Sequence, residues 1–281
     1  LEAILASYDI QSGMYTRNYA NASAARAADG QAVADILNTL PPAATLLEVG
    51  VGEATTLAPT LSHLAYQPAH ILGLDLAWSR LAFARSFLRR KGCNVTLFTG
   101  NMFTPPLGED SIDLIFTAHA VEPNGGREAE ALAALYRIAK HHLVLIEPGY
   151  EWADDAARAR MQAMGYATGL RRAADRLGYK VLHHGPFSQS LRAENPSSVL
   201  IIEKNPAPAR SPAERASVPA PHFTCPYTGD PLQAHSDSFL ATKTGLTYPV
   251  LNGIPCLLQQ NAVLATHLNT DTDAEIIRYG L

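Results

Sequence analysis

Along the first two-thirds of the chain, short runs of almost entirely apolar residues alternate with longer stretches whose apolar positions recur every three or four residues. The runs are TLLEVG (45–50), HILGLDL (70–76), VTLFTG (95–100), IDLIFTAH (112–119) and HLVLIEP (142–148). Between them, SRLAFARSFLRRKG (79–92) and REAEALAALYRIAK (127–140) carry the period of an amphipathic helix. Strands that are apolar on both faces and joined by helices predict a parallel sheet covered on both sides. After the fifth run the pattern changes. A helical stretch over about 152–177 leads to YKVLHHGPF and then to SSVLIIEKN without an intervening helix, which predicts an antiparallel pair at the sheet edge. The expected fold is therefore α/β: a doubly wound, seven-stranded, Rossmann-like sheet with its last strand antiparallel, plus a small β-rich module near the C-terminus.

Composition divides the chain further. Residues 205–221, NPAPARSPAERASVPAP, are dominated by Pro and Ala and contain no aromatic, as expected of a semi-extended linker. The boundaries that follow are a body at 1–204, the linker, a module at 222–260 and a tail at 261–281, with a helix expected near DTDAEIIRYG. With 47% hydrophobic and 17% charged residues in 281, the chain has enough apolar surface for a real core, which excludes wholesale disorder. A net charge of -4 argues against a nucleic acid as the main partner. No stretch approaches the roughly 18 apolar residues of a membrane span. Three widely spaced cysteines, Cys93, Cys225 and Cys256, cannot form a disulfide framework and suit a reducing, cytoplasmic setting.

The candidate chemistry lies at the strand tips. The first run ends in Glu48, Gly50 and Gly52, with Ala54 following. Glycines there let the chain turn tightly and let a ligand approach the backbone. A dinucleotide fingerprint would carry a third glycine where Thr55 stands, and a carboxylate at Glu48 suits a cation better than a pyrophosphate. Asp75 ends the second run, where an acid can accept hydrogen bonds from both ribose hydroxyls. Asn101 and Met102 follow the third run and can read and flank an adenine. An adenosine with a positively charged tail fits these groups, and S-adenosylmethionine is such a molecule.

On the pieces LLEVGVGEAT, GLDLAWSRLAFAR and TGNMFTPPLGEDSIDLIFTAHAVE, residues 45–150 resemble a class I S-adenosylmethionine-dependent methyltransferase, of the type seen in ubiquinone and menaquinone biosynthesis. Ala54 and Asn101 stand where that family usually has Gly and Asp. The resemblance implies Glu48 near the methionine amino group, Gly50 and Gly52 in the cofactor turn, and Asp75 and Leu76 at the ribose. It also implies Asn101 and Met102 around adenine and His119 at the fourth strand tip. In such enzymes a segment like SYDIQSGMYTRNYA folds over the cofactor, so Tyr15 and Tyr19 are expected to line it; ordinary packing is the alternative for both, as for Tyr8.

Methyl transfer from a sulfonium depends mainly on positioning, with a base needed only where the acceptor must lose a proton. His119 and Glu122 are the candidates for base or acceptor anchor, with Asn124, Glu147, Tyr150 and Trp152 nearby in sequence. Arginines between 158 and 176, and Asn195, could cover the acceptor pocket. The D/N-P-P-Y motif of adenine and glutamine N-methyltransferases is missing after the fourth run. The expected acceptor is an oxygen or nitrogen of a small molecule or glycan precursor. An RNA- or protein-modifying enzyme and a catalytically inactive cofactor-binding protein remain the alternatives.

In the module, CPYTGDPL and LTYPVLNGIPCLL resemble the zinc-ribbon-like activator subunits of tRNA and protein methyltransferases. Thr228 stands where a ribbon would place the partner of Cys225. A tetrahedral zinc site wants four Cys or His ligands, so a metal-free module is expected, packed on the body or joining two copies in a homodimer.

Overall fold

The computed structural model describes residues 2–19, 21, 23–189 and 195–265. The helix expected near 271–280 lies outside the described residues. Three helices open the chain, α1 (Glu2–Gln11), α2 (Met14–Asn18) and α3 (Ser23–Asn38). Then β1 (Thr45–Val49), α4 (Leu57–His63), β2 (His70–Asp75), α5 (Trp78–Arg90), β3 (Thr96–Thr99), β4 (Ile112–Ala118), α6 (Glu128–Ile138) and β5 (Ala139–Pro148) alternate. The expected long helix is two, α7 (Asp155–Ala163) and α8 (Leu170–Arg176), separated where Gly165 turns left-handed at φ 66. The hairpin of β6 (Lys180–Pro186) and β7 (Ser197–Glu203) completes a sheet of order β3-β2-β1-β4-β5-β7-β6. β1 to β5 pair in parallel, whereas β7 runs antiparallel to both β5 and β6.

Side chains alternate across this sheet, and both faces are apolar. Leu46, Phe116, Val144 and Ile201 face the layer of α3, α4 and α5, packing with Leu37, Leu57 and Leu81. Leu47, Ile115, Leu143 and Leu200 face the opposite layer, with Leu132 and Leu135 of α6 and Ala173 of α8. The sequence order of the strands reverses between β1 and β4, so the tips of β1, β2 and β4 open onto one crevice.

The Pro/Ala-rich stretch at 205–221 makes directed contacts with the body. It contains a short helix, α9 (Pro212–Ala216), whose start is fixed by a reciprocal capping box between Ser211 and Glu214. Arg210 Nη1 donates to Asp113 Oδ2 at 2.8 Å beneath the sheet, and the same carboxylate accepts from Ala44 N at 2.8 Å. His70 Nε2 pairs with the Val218 carbonyl at 2.7 Å. Composition cannot foresee this, because directed polar contacts, Asn205 Nδ2 to the Lys140 carbonyl at 2.9 Å among them, fasten the segment.

The module is a small antiparallel sheet of β8 (Gln233–Ala234), β9 (Ser238–Ala241), β10 (Leu246–Leu251), β11 (Ile254–Pro255) and β12 (Val263–Leu264). Phe223 inserts between Phe98 of the body and Phe239 of the module, with ring centroids 4.9 and 5.2 Å away. Thr99 and Cys256 form a parallel bridge, with Leu257 N donating to the Thr99 carbonyl at 3.2 Å, so the module lies along the outer edge of β3. Buried Cys225 places its Sγ 3.3 Å from Tyr248 Oη, and Cys256 Sγ lies 3.6 Å from the Ile254 carbonyl. Among the described residues, no group of three or more His, Cys, Asp or Glu side chains is gathered to hold a metal. Nor is any described helix long and apolar enough to cross a membrane.

Candidate functional site

The loop after β1 is built from left-handed residues. Gly50, Gly52 and Ala54 have φ of 74, 53 and 59, and Gly50 N donates to the Leu74 carbonyl at 2.8 Å. A Cβ on Gly50 would lie 2.3 Å from Ala120 Cβ, and one on Gly52 would lie 2.5 Å from Arg80 Nη2. Gly50 is therefore required by space as well as by φ, and Gly52 by φ, since the Arg80 side chain could swing away. Asp75 ties the next strand tip to this turn: Oδ2 accepts from Gly52 N at 2.8 Å and Oδ1 from Ala77 N at 2.9 Å. Leu76 lies half-buried between them.

Glu48 is buried on β1, and its Oε2 has no hydrogen-bond partner. Burial pushes its carboxyl well above the usual carboxylate range; the charge of Asp75 adds to this and Arg80 pulls the other way. Asp75 is likewise raised by burial, against Arg80 and the amides of Ala77, Gly52 and Leu76. Two buried acids, one with an unsatisfied oxygen, form a site that asks for a cation. Above them, the Arg80 guanidinium covers Gly52 and faces the rings of Tyr8 and Tyr15, at 5.2 and 5.3 Å from the centroids. Its Nε is also buried without a partner.

The second half of the site lies at the tips of β4, β5 and β7. His119 adopts φ 56, and its Nδ1 pairs with Glu122 Oε2 while Nε2 meets Ser197 Oγ at 3.0 Å. Asn195 Nδ2 approaches the same Glu122 oxygen at 3.4 Å. The imidazole is enclosed by these groups yet keeps 40% of its side-chain surface open. Burial alone would lower its pKa, but the bond to Glu122 and the charges of Glu147, Glu122 and Asp29 outweigh that and raise it. For Glu122 the burial penalty is overcome by His119, Tyr166 and Asn195, so its carboxyl falls below the ordinary value. Glu147, fully buried on β5, accepts from Thr117 Oγ1 at 2.7 Å and from the amides of Ala120, Val121 and Glu122 at 3.0, 3.1 and 2.9 Å. This carboxylate shapes the whole loop that carries His119 and Glu122.

Of the residues singled out in the sequence, Glu48, Gly50, Gly52, Asp75 and Leu76 gather at one end, and His119 and Glu122 at the other. Asn101 lies at the tip of β3, with its Oδ1 accepting from Phe103 N at 3.0 Å. Met102 is buried in the same apolar cluster as Phe98 and Leu107. Tyr15 faces Arg80, whereas Tyr19 packs edge-on against Phe87 at 4.8 Å, well along α5 from Asp75. Arg80, Glu53 and Ser197 escaped the sequence reading. Arg80 falls in the first turn of the helix after Asp75, a spacing that could have flagged it. Ser197 and Glu53 meet partners many residues away, for which the sequence carries no local signal.

Residues 46–142 match the family model described as a methyltransferase domain. A release factor glutamine methyltransferase of Geobacter sulfurreducens is 35% identical over 100 residues, 34% of this chain and 33% of that protein. The chain thus matches about a third of that curated relative's length. A magnesium protoporphyrin IX methyltransferase from Synechocystis PCC 6803, solved with bound SAH, superposes with a TM-score of 0.48 at 14% identity, covering 63% of this chain and 84% of that one. A putative methyltransferase from Bacillus halodurans C-125 gives 0.49 at 11% identity, with 62% and 97% covered. Over residues 46–142 the chain is thus similar to methyltransferase domains.

Proposed function

We propose that this chain transfers a methyl group from S-adenosylmethionine to an oxygen or nitrogen of a small-molecule or glycan-precursor acceptor. The unpartnered, buried Glu48 carboxyl beside a turn of left-handed glycines is the observation that carries the cofactor half. The residues present suit that group. Glu48 would face its ammonium, the backbone at Gly50 and Gly52 would admit its aminoacyl tail, and Asp75 with Leu76 would hold the ribose. Asn101 and Met102 would border the adenine.

When bound, S-adenosylmethionine supplies an electrophilic methyl carbon on a sulfonium. The chain's own contribution is placement and proton handling. Glu147 fixes the loop, Glu122 accepts from His119 Nδ1, and Nε2 of the neutral ring, which here accepts from the Ser197 hydroxyl, would take a proton from an acceptor hydroxyl or ammonium that replaces that bond. Ser197 steers that nitrogen, and Glu122 stabilises the imidazolium that results.

A second reading is methylation of a protein side chain, favoured by the 100-residue match to a release factor glutamine methyltransferase. Against it, the β4 tip reads His119-Ala120-Val121-Glu122 in place of N-P-P-Y. Calorimetric titration with S-adenosylmethionine, followed by methyl-label transfer to panels of phenols, sugars, amines and release-factor peptides, separates the two. Label on the small molecules supports the first reading; label on the peptides alone replaces it with the second. Binding without transfer to any acceptor leaves a cofactor-binding protein.

A further inference from the structure

The helices α1 and α2 are fastened over the site from below. Glu53 belongs to the glycine turn itself and is 1% exposed. Its Oε1 accepts from Gly13 N at 2.8 Å and Tyr15 N at 3.4 Å, and its Oε2 accepts from Thr16 N at 2.6 Å. These are the amides of the N-cap, Gly13, and of the first turn of α2, and Gly13 has no side chain to cap them. A carboxylate that accepts several backbone amides at a helix start is a strong tether. No Lys or Arg lies within ion-pair distance of Glu53 among the described residues, so its charge rests on those three amides. Gly13 is itself constrained: φ is 83, and a Cβ there would fall 2.6 Å from Arg17 Nη1 and 2.7 Å from Phe83 Cζ.

What the tether holds down is the aromatic cover. Tyr8 and Tyr15 bracket the Arg80 guanidinium above Gly52, and Ser79 Oγ donates to Asp9. On the other side of Glu53, Gly52 N is bonded to Asp75 and Ala54 N to the Val51 carbonyl. One residue thus joins the turn that would cradle a cofactor to the segment that would roof it.

We propose that Glu53 is a positioning residue that couples cofactor binding to closure of the α1–α2 segment, so that a ligand ordering the turn also holds the cover shut. The proposal rests on the cofactor reading above. By linkage, whatever fixes the turn must tighten the cover, and a loosened cover must weaken the ligand's affinity.

The test is hydrogen exchange of the amides at 13, 15 and 16, together with the association and dissociation rates of S-adenosylmethionine, for wild type, Glu53→Gln and Gly13→Ala. The glutamine amide must point N–H groups at N–H groups in either rotamer, and alanine strains the start of α2 without touching the turn. Both variants are expected to exchange those amides at least about tenfold faster, as loss of charge-assisted bonds requires. Both should also release the cofactor at least about tenfold faster, with association changed by less than about threefold. Added cofactor should slow exchange at 13–16 in wild type. Unchanged exchange, or faster exchange with unaltered release, overturns the latch. A wild-type chain that binds no S-adenosylmethionine overturns the cofactor reading instead, and with it the coupling.

Discussion

Replacing Glu48 by Gln should make the protein more stable and a poorer binder at once. The side chain is 2% exposed, one oxygen has no partner, and Asp75 adds a like charge. In the folded protein its pKa lies well above the value of 4.5 it has when unfolded. The sign follows from linkage: such a group contributes its stability fully below the unfolded pKa, and that contribution is lost as pH climbs through the raised one. A neutral glutamine escapes this loss. The melting temperatures of Glu48→Gln and wild type should therefore coincide near pH 4 and diverge above it, the variant gaining. For a chain of this size each ~1 kcal/mol corresponds to about 2–4 °C. Binding moves oppositely. A charged hydrogen bond to a cationic ligand is worth about 1.5–3 kcal/mol, so affinity for S-adenosylmethionine should fall about ten- to 150-fold. Wild-type affinity should weaken as acid protonates Glu48, and the variant's profile should be flatter. Differential scanning fluorimetry across pH 4–9 and calorimetry on the same samples measure both. A variant that melts lower than wild type at pH 8, or binds as well, refutes the reasoning.

Three other outcomes are expected. With His119 as base, initial rates should rise with pH along a limb centred above 6.5, because Glu122 and Glu147 hold the imidazolium; Glu122→Gln should move that limb to lower pH, and His119→Ala should lower turnover about 10²–10⁴-fold without changing cofactor affinity. Glu147→Ala strands the Thr117 hydroxyl and three amides, and should cost about 3–5 kcal/mol in a urea titration. Phe223→Ala empties the space between Phe98 and Phe239 and should cost about 3–5 kcal/mol, read as a lower midpoint in the same titration.

The alternation of apolar runs and helical stretches was enough to place β1 to β5 and the closing hairpin, because the runs of β1 to β5 are mainly apolar and buried on both faces. Glu48 and Asp75 were visible for the same reason: an acid at the end of such a run stands out. What escaped depended on pairing across the sheet. Ser197 reaches His119 only because β7 inserts between β5 and β6, and Glu53 finds residues 13–16 only once α2 folds back. Tyr15 and Tyr19 looked equivalent in the sequence, yet a separation of four residues, about one helix turn, and the position of α5 send one to Arg80 and the other to Phe87. The contacts of the Pro/Ala stretch, Arg210 to Asp113 above all, were not legible in its composition, because directed polar pairs leave no mark on apolar content.

The bridge between Thr99 and Cys256 gives the sheet something its topology alone withholds. β3 is a terminal strand, buried along Leu97, Phe98 and Thr99, and such an edge left bare is a template for another chain's strand. The module serves as its guard. A body cut off before residue 222 would therefore carry an adhesive rim right beside Asn101, and would be prone to self-association at the margin of its own binding crevice.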